Sequence, residues 1–223
     1  GCNDAQGYDV DLSCRDTLIE HNYSHDNAGG FLLLCENSTT TDADGYRGTV
    51  VRNNLSVNDG GVKGELIALV GPVRGVTIEN NTFYSTGNAE RLIEVWTADG
   101  TDQAADVTVR NNLFISNGRG GRYNIANGEG FRFDHNLYWG AYRTPPAEET
   151  GATVADPQLI CPGAAPCGRE NVGGYVPAAG SPAMTAGAPA QKGAERDFFG
   201  RPTGGRAYVG AFVCDEAQEE AAE

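Results

Sequence analysis

The sequence predicts an all-β protein: a single-stranded right-handed parallel β-helix of about five coils with an irregular C-terminal cap. Two observations carry this. A strand–Asn–strand–turn unit recurs five times, and a third strand without any helix completes each unit. The copies begin TLIEHNYS (Thr17–Ser24), TVVRNNLS (Thr49–Ser56), VTIENNTF (Val76–Phe83), VTVRNNLF (Val107–Phe114) and FRFDHNLY (Phe131–Tyr138). Aligned on the last Asn, the marks are Asn22, Asn54, Asn81, Asn112 and Asn136. Their spacings of 32, 27, 31 and 24 residues lie in the range of solenoid repeats.

Within a copy, Val76 and Ile78 alternate with Thr77 and Glu79, the period of a strand with one face buried. A short second strand follows each Asn (Leu55–Val57, Thr82–Tyr84, Leu113–Ile115). Then comes a turn in residues that tolerate positive φ: His25–Gly30, Asn58–Gly61, Ser85–Asn88 and Ser116–Gly121. The third strand is Phe31–Cys35, Glu65–Val70, Arg91–Trp96 and Arg122–Ala126. Three strands and no helix per coil argue against leucine-rich and helical solenoids. Gly7–Leu12 reads as the third strand of an earlier coil, with Val10 and Leu12 inward and Asp9 and Asp11 outward. No capping helix precedes it, so the first rung is expected to continue sequence lying upstream.

The repeated Asn has a structural reading. A buried Asn in every coil can bond the equivalent Asn above and below, as in stacked-strand ladders. It also tolerates the left-handed backbone of a bend. The sequons at Asn22 and Asn54 therefore read as ladder, and Asn37, in the polar insertion Glu36–Gly48, as the better glycan acceptor. His21 and His135 precede ladder Asn residues and read as structural. Coils are assigned to 1–141, a connector and cap over the last rung's edge to 142–214, and an acidic tail to 215–223. Trp139 is expected to seal the junction with the cap.

A chain of 223 residues suffices for one domain. No run approaches the ~18 apolar residues of a membrane span. The net charge of −14 argues against nucleic acid or an anionic membrane as partner, and a monomer is expected. There are two lysines, Lys63 and Lys192, and by subtraction from 16 basic residues fourteen arginines. The six cysteines form no CxxC pair, which argues against zinc. Their even number and spacing predict disulfides, Cys161–Cys167 across PGAAP and Cys14 near Cys35 on adjacent rungs, and an extracellular setting.

The NN turn repeats, the run YSHDNAGGFLLL (Tyr23–Leu34) and the ending GSPA…DFFGRP…VGAF resemble secreted right-handed parallel β-helix proteins of the pectate-lyase-like superfamily. The resemblance implies a carbohydrate-active protein, either a polysaccharide lyase or a glycoside hydrolase. It also implies a site on the outer face of the third-strand sheet and its flanking turns. The three-Asp signature of polygalacturonases is absent. The competing expectation is a non-catalytic glycan-binding or adhesive β-helix, or the C-terminal part of a larger enzyme.

Candidate site residues follow from that placement. Asp9 and Asp11 share a face at i and i+2, as catalytic acids or as ligands of a calcium ion, against the plainer reading of solvated acids. His25 and Asp26 lie in the turn one coil above and offer a general base, or simply a turn that bonds its own backbone. Lys63, Arg91, Glu94 and Trp96 are the candidate substrate-binding groups, Trp96 as a platform for a sugar ring. Rungs ~4.8 Å apart put Asp9 about 14 Å from Glu94, beyond the roughly 5–9.5 Å of a glycosidase carboxylate pair.

Overall fold

Short strands recur in threes along the chain. The first coil is β1 (Tyr8–Asp11), β2 (Leu18–Glu20) and β3 (Tyr23–His25), and the second β4 (Leu32–Cys35), β5 (Val50–Arg52) and β6 (Leu55–Val57). The third is β7 (Glu65–Val70), β8 (Arg74–Glu79) and β9 (Thr82–Ser85), and the fourth β10 (Arg91–Trp96), β11 (Ala104–Arg110) and β12 (Leu113–Ser116). The fifth holds β13 (Arg122–Asn124), the short β14 (Gly128–Glu129) and β15 (Arg132–Asp134), and β16 (Leu137–Gly140), followed by β17 (Thr153–Val154). These come from a computed structural model that describes residues 5–36, 45–87, 89–97, 103–164, 168–189, 191 and 193–214. The Asn37 sequon, Cys2, Cys167, Lys192 and the acidic tail lie outside the described residues.

Three parallel sheets result. Sheet A runs β1-β4-β7-β10-β13, sheet B β2-β5-β8-β11 with β14 and β15 beyond it, and sheet C β3-β6-β9-β12-β16-β17. The five strands of sheet A are linked by about four turns of the chain, which is therefore a parallel β-solenoid, as the alternation predicts. Leu32, Leu34, Ile67, Leu69, Ile78, Val109 and Phe114 point inward and form one continuous core. Phe83, Phe114 and Tyr138 stack with centroids 5.0 and 5.4 Å apart. No helix among the described residues is long and apolar enough to cross a membrane.

The corner between sheets B and C holds the scaffold. Each ladder Asn donates its backbone N–H and its side-chain amide to the Oδ1 of the next, from Asn22 to Asn54, Asn81, Asn112 and Asn136, at 2.9–3.1 Å. The backbone N–H fixes the amide orientation, because only the oxygen accepts. Positive φ, expected at the ladder Asn, falls instead on the residue before it: His21, Asn53, Asn80, Asn111 and His135, at 50–56°. The two polar residues of each pair thus divide the work. The first makes the left-handed bend, and the second turns inward and bonds along the axis.

The first residue also faces the C-terminal segment. Asn53 donates to the Arg196 carbonyl, Asn80 to Tyr208 and Asn111 to Ala188, while Ala188 N–H donates back to Asn111. Outside sheet C, Leu55, Val57, Tyr84, Leu113, Ile115 and Leu137 pack against Val172, Tyr175, Phe198, Val209 and Phe212 in a second core. The described residues between 157 and 213 therefore run along the flank of the solenoid. Only the stretch about β17 and Glu149–Thr150 lies on the last rung. The reason is the apolar outer face of sheet C: a strand covered on both sides needs a partner along its whole height.

An outward column of sheet B alternates in charge: Glu20, Arg52, Glu79, Arg110 and Asp134 stand on successive rungs in register. Arg52 meets Glu20 at 2.8 Å. A slip of one rung would place like charges opposite each other, so the column fixes the stacking order.

The expected disulfides do not form among the described cysteines; Cys14, Cys35 and Cys161 are free thiols. Cys14 packs inward against the core and donates to the Asp11 carbonyl. Cys35 pairs with Asp11 in register and so points out of sheet A. The two sulfurs stand on opposite faces and cannot be joined.

Glu149 ends the ladder. Its Oε1 accepts the Asn136 backbone N–H and amide at 2.7 and 2.9 Å, and its Oε2 accepts the Tyr138 hydroxyl. Burial raises its carboxyl above the ordinary value, against the pull of these donors. A carboxyl raised in the folded state stabilises fully below its unfolded pKa of about 4.3. That contribution is lost as pH rises through the folded value. Stability is therefore expected to fall with rising pH above about 4.3, and Glu149→Gln to flatten the profile relative to the parent in denaturant titrations. Glu149→Ala, which orphans three buried donors, is expected to cost roughly 3 kcal/mol at low pH and less as pH rises through the folded value.

Candidate functional site

The outer face of sheet A carries two columns. One is Asp9, Leu33, Ala68, Glu94 and Asn124; the other is Asp11, Cys35, Val70 and Trp96. Acidic groups thus occur at both ends, with Leu33 and Ala68 buried between them. Three rungs of ~4.8 Å separate Asp9 from Glu94, and they do not form a pair. Cys35 lies beside Asp9, Asp11 and Glu36. Burial, then those carboxylates, push its thiol up to about 11, so it is no nucleophile at neutral pH.

His25 and Asp26 do meet, with Nδ1 and Oδ2 2.9 Å apart, and His25 stacks on Tyr23. Yet His25 ends a strand of sheet C, in register with Val57, whereas Asp11 ends a strand of sheet A. One sits before the C-to-A corner and the other before the A-to-B corner. The two pairs of candidates thus belong to different corners of the coil. A calcium ion takes six to eight oxygens. Asp9 and Asp11 supply two carboxylates beside a thiol, and no group of three His, Cys, Asp or Glu side chains that could hold a metal ion occurs among the described residues. This donor set does not fit the ion.

The substrate-binding candidates fare differently. Lys63 stands in the turn between β6 and β7, and Arg91 opens β10. The turns stack: Lys63 N–H donates to the Ala28 carbonyl, Arg91 N–H to Gly64 and Arg122 N–H to Glu90. Gly60 permits this, with φ of 84° and a hypothetical Cβ 2.7 Å from the Glu65 carbonyl oxygen. Arg91 is the hub. Its guanidinium donates to the Lys63 carbonyl and to Glu65 at 2.7 Å, and lies 3.2 Å from Glu94. Glu65 and Glu94 are both buried, and Asn124 donates to Glu94 at 3.0 Å. Two buried carboxylates share one arginine here.

Above this hub opens a cleft of about 400 Å³ lined by Val62, Lys63, Gly64, Glu90, Arg91, Arg119 and Arg122. Four cations face a single carboxylate in that lining, in a chain of net charge −14. Glu90 bonds Arg119 and lies 3.6 Å from Arg122. The Arg119 bond, with the neighbouring arginines, holds its carboxyl below the usual range. Arg119 and Arg122 are 69% and 75% exposed, so their outer N–H groups face solvent. Trp96 is partly exposed on the same sheet. At ~3.3 Å per residue it stands about 16 Å from Arg91, at the opposite edge.

The structure thus joins Lys63, Arg91 and Glu94, adds Glu90, Arg119 and Arg122, and leaves Trp96 apart. A sequence signal existed for the additions: GRGGR (Gly118–Arg122) falls at the same phase of its coil as GGVKG (Gly60–Gly64). The two carboxyls that burial raises, Glu79 and Glu149, belong to the sheet B column and the ladder end. No family model matches this chain, and neither does any curated protein.

Arg91→Ala is expected to leave Glu65 and Glu94 as uncompensated buried charges and to destabilise by roughly 3–5 kcal/mol. Adding Glu65→Gln and Glu94→Gln should recover a large part of that loss in chemical denaturation. Equal stability of Arg91→Ala and parent would show that Arg91 does not hold these carboxylates.

Proposed function

We propose that this protein engages an acidic polysaccharide through the Lys63–Arg122 cleft, and that any cleavage it performs there is eliminative. The observation that supports this is a cleft lined by Lys63, Arg91, Arg119 and Arg122 with Glu90 in a strongly acidic chain. Arg91 is matched by Glu65 and Glu94, which leaves Lys63 and the solvent-facing arginines to meet a ligand. Guanidinium groups match the fork of a uronate carboxylate. At physiological salt, repulsion from the rest of the molecule is screened beyond about 8 Å, so the local groups decide what binds. A ligand of this kind would be met outside the cell.

The choice of reaction class follows from the carboxyls. Hydrolysis asks for two carboxyl groups, one of them protonated, about 5–9.5 Å apart. Glu90 is held ionised by Arg119, and Glu65 and Glu94 are clasped by Arg91. Elimination asks for something else. A base removes the proton α to the carboxylate, that electron pair forms the new C=C bond, and the glycosidic C–O bond breaks with its oxygen taking a proton. Neutralising the carboxylate makes the proton acidic enough to leave. Arg119 and Arg122 are placed to do this, with Lys63 as the candidate base once it has given its own proton to solvent, and solvent supplies the proton taken by the leaving oxygen.

Polygalacturonate and a neutral galactan, each immobilised, provide the test. Retention on the first alone is expected, and the Arg119→Ala/Arg122→Ala protein should bind at least tenfold more weakly, a loss of about 1.4 kcal/mol. Ultraviolet absorbance of unsaturated ends would identify a lyase, and its absence with retention intact a binding module. Equal retention on both matrices, or none on either, would overturn the reading.

A further inference from the structure

Glu90 is the one acidic residue in the cleft lining, and its partners are the two arginines that reach solvent. Its Oε1 accepts from Arg119 Nη1, and its Oε2 lies 3.6 Å from Arg122 Nη2. Its carboxylate therefore holds the position that a ligand's carboxylate would take. Among the described residues, the neighbouring contacts form without it. Glu65 and Glu94 are held by Arg91, and the Glu90 backbone carbonyl already accepts the Arg122 N–H at 2.7 Å whatever the side chain does. Resting on the reading of the cleft as an acidic-glycan site, we propose that Glu90 is a built-in competitor, an internal carboxylate that a bound glycan must displace from Arg119 and Arg122.

The consequence is a preference for polymers. A single carboxylate that replaces Glu90 exchanges one charge-assisted bond for another of the same kind. It gains little for the freedom it loses on binding. A chain with acidic groups on successive sugars gains further contacts, each formed at high effective concentration once the first is made. Lys63, Arg91 and Arg122 belong to three consecutive coils, so cations recur along the cleft at the rung spacing of ~4.8 Å. Glu90 thereby sets a threshold that monomers fail to cross and polymers pass.

The test compares the parent and Glu90→Gln, an isosteric change at a half-buried position, by calorimetric titration. The probes are galacturonate monomer, its hexamer, a fully methyl-esterified hexamer and inorganic phosphate. The variant is expected to bind the monomer and phosphate about tenfold more tightly and the hexamer several-fold more tightly, with the esterified hexamer unchanged. The ratio of hexamer to monomer affinity should shrink accordingly. Unchanged or weaker binding of phosphate and uronates by Glu90→Gln would overturn the proposal, since Glu90 would then be positioning the arginines. Tighter phosphate binding without uronate binding by either protein would sustain self-competition and overturn the glycan reading. Uronate binding without any gain in the variant would do the reverse.

Discussion

The structure depends on one local arrangement: a residue in the left-handed region followed by an inward asparagine, repeated at each B-to-C corner. Three parallel sheets cannot close around a core unless the chain bends sharply at the same height in every coil. The left-handed residue supplies the bend. The asparagine supplies a polar group for the carbonyls and N–H groups that the bend turns inward. Asn54, Asn112 and Asn136 donate to the carbonyls of Ile19, Ile78 and Val109, each in the coil below, so one side chain satisfies two coils. A buried corner without such a partner would carry a desolvation cost in every rung. The inward Phe and Leu layers pack in register only because this corner fixes the register.

Much of this was legible in the sequence, because it is local and periodic. The alternation of Val76 and Ile78 with Thr77 and Glu79, and the recurrence of Asn22 through Asn136, suffice for the solenoid and its ladder. The features that were not legible are those made by stacking or by return of the chain. The Leu55-Ser56-Val57 strand offers apolar groups on its outer face, a hint that something covers sheet C. Nothing local says that residues 157–213 do so. Which half of the NN pair adopts positive φ is likewise invisible until the second core places the first Asn against the Arg196, Tyr208 and Ala188 carbonyls.

The candidate site divides in the same manner. Lys63, Arg91 and Glu94 were named because their strands and turns carry the repeat. Arg119, in a glycine-rich turn, and Arg122, which opens a predicted strand, were not, because only the stacking of the turns brings them beside Glu90. His25 misled for a geometric reason. It stands one residue before a turn toward sheet A, but its side chain belongs to the last position of sheet C. In a solenoid, nearness in sequence to the correct face means little, since a corner of one residue changes the direction of a side chain by a third of a circle. Charge is the better guide: cations are scarce in this chain, and four of them converge on adjacent coils.

The amides of the ladder all point one way. From Asn22 to Asn112 every amide gives one proton to the Oδ1 of the next ladder Asn and receives none from it, so the spine has a head and a tail. Its tail is filled by a carboxylate, Glu149, which accepts two donors and returns none. That closes the series chemically. A further coil appended after the fifth would meet an oxygen pair where it needs an amide, whereas one inserted between existing coils would find a donor below and an acceptor above. Proteins built on such a spine can lengthen from within, by duplication of an interior coil, and keep the same terminus throughout.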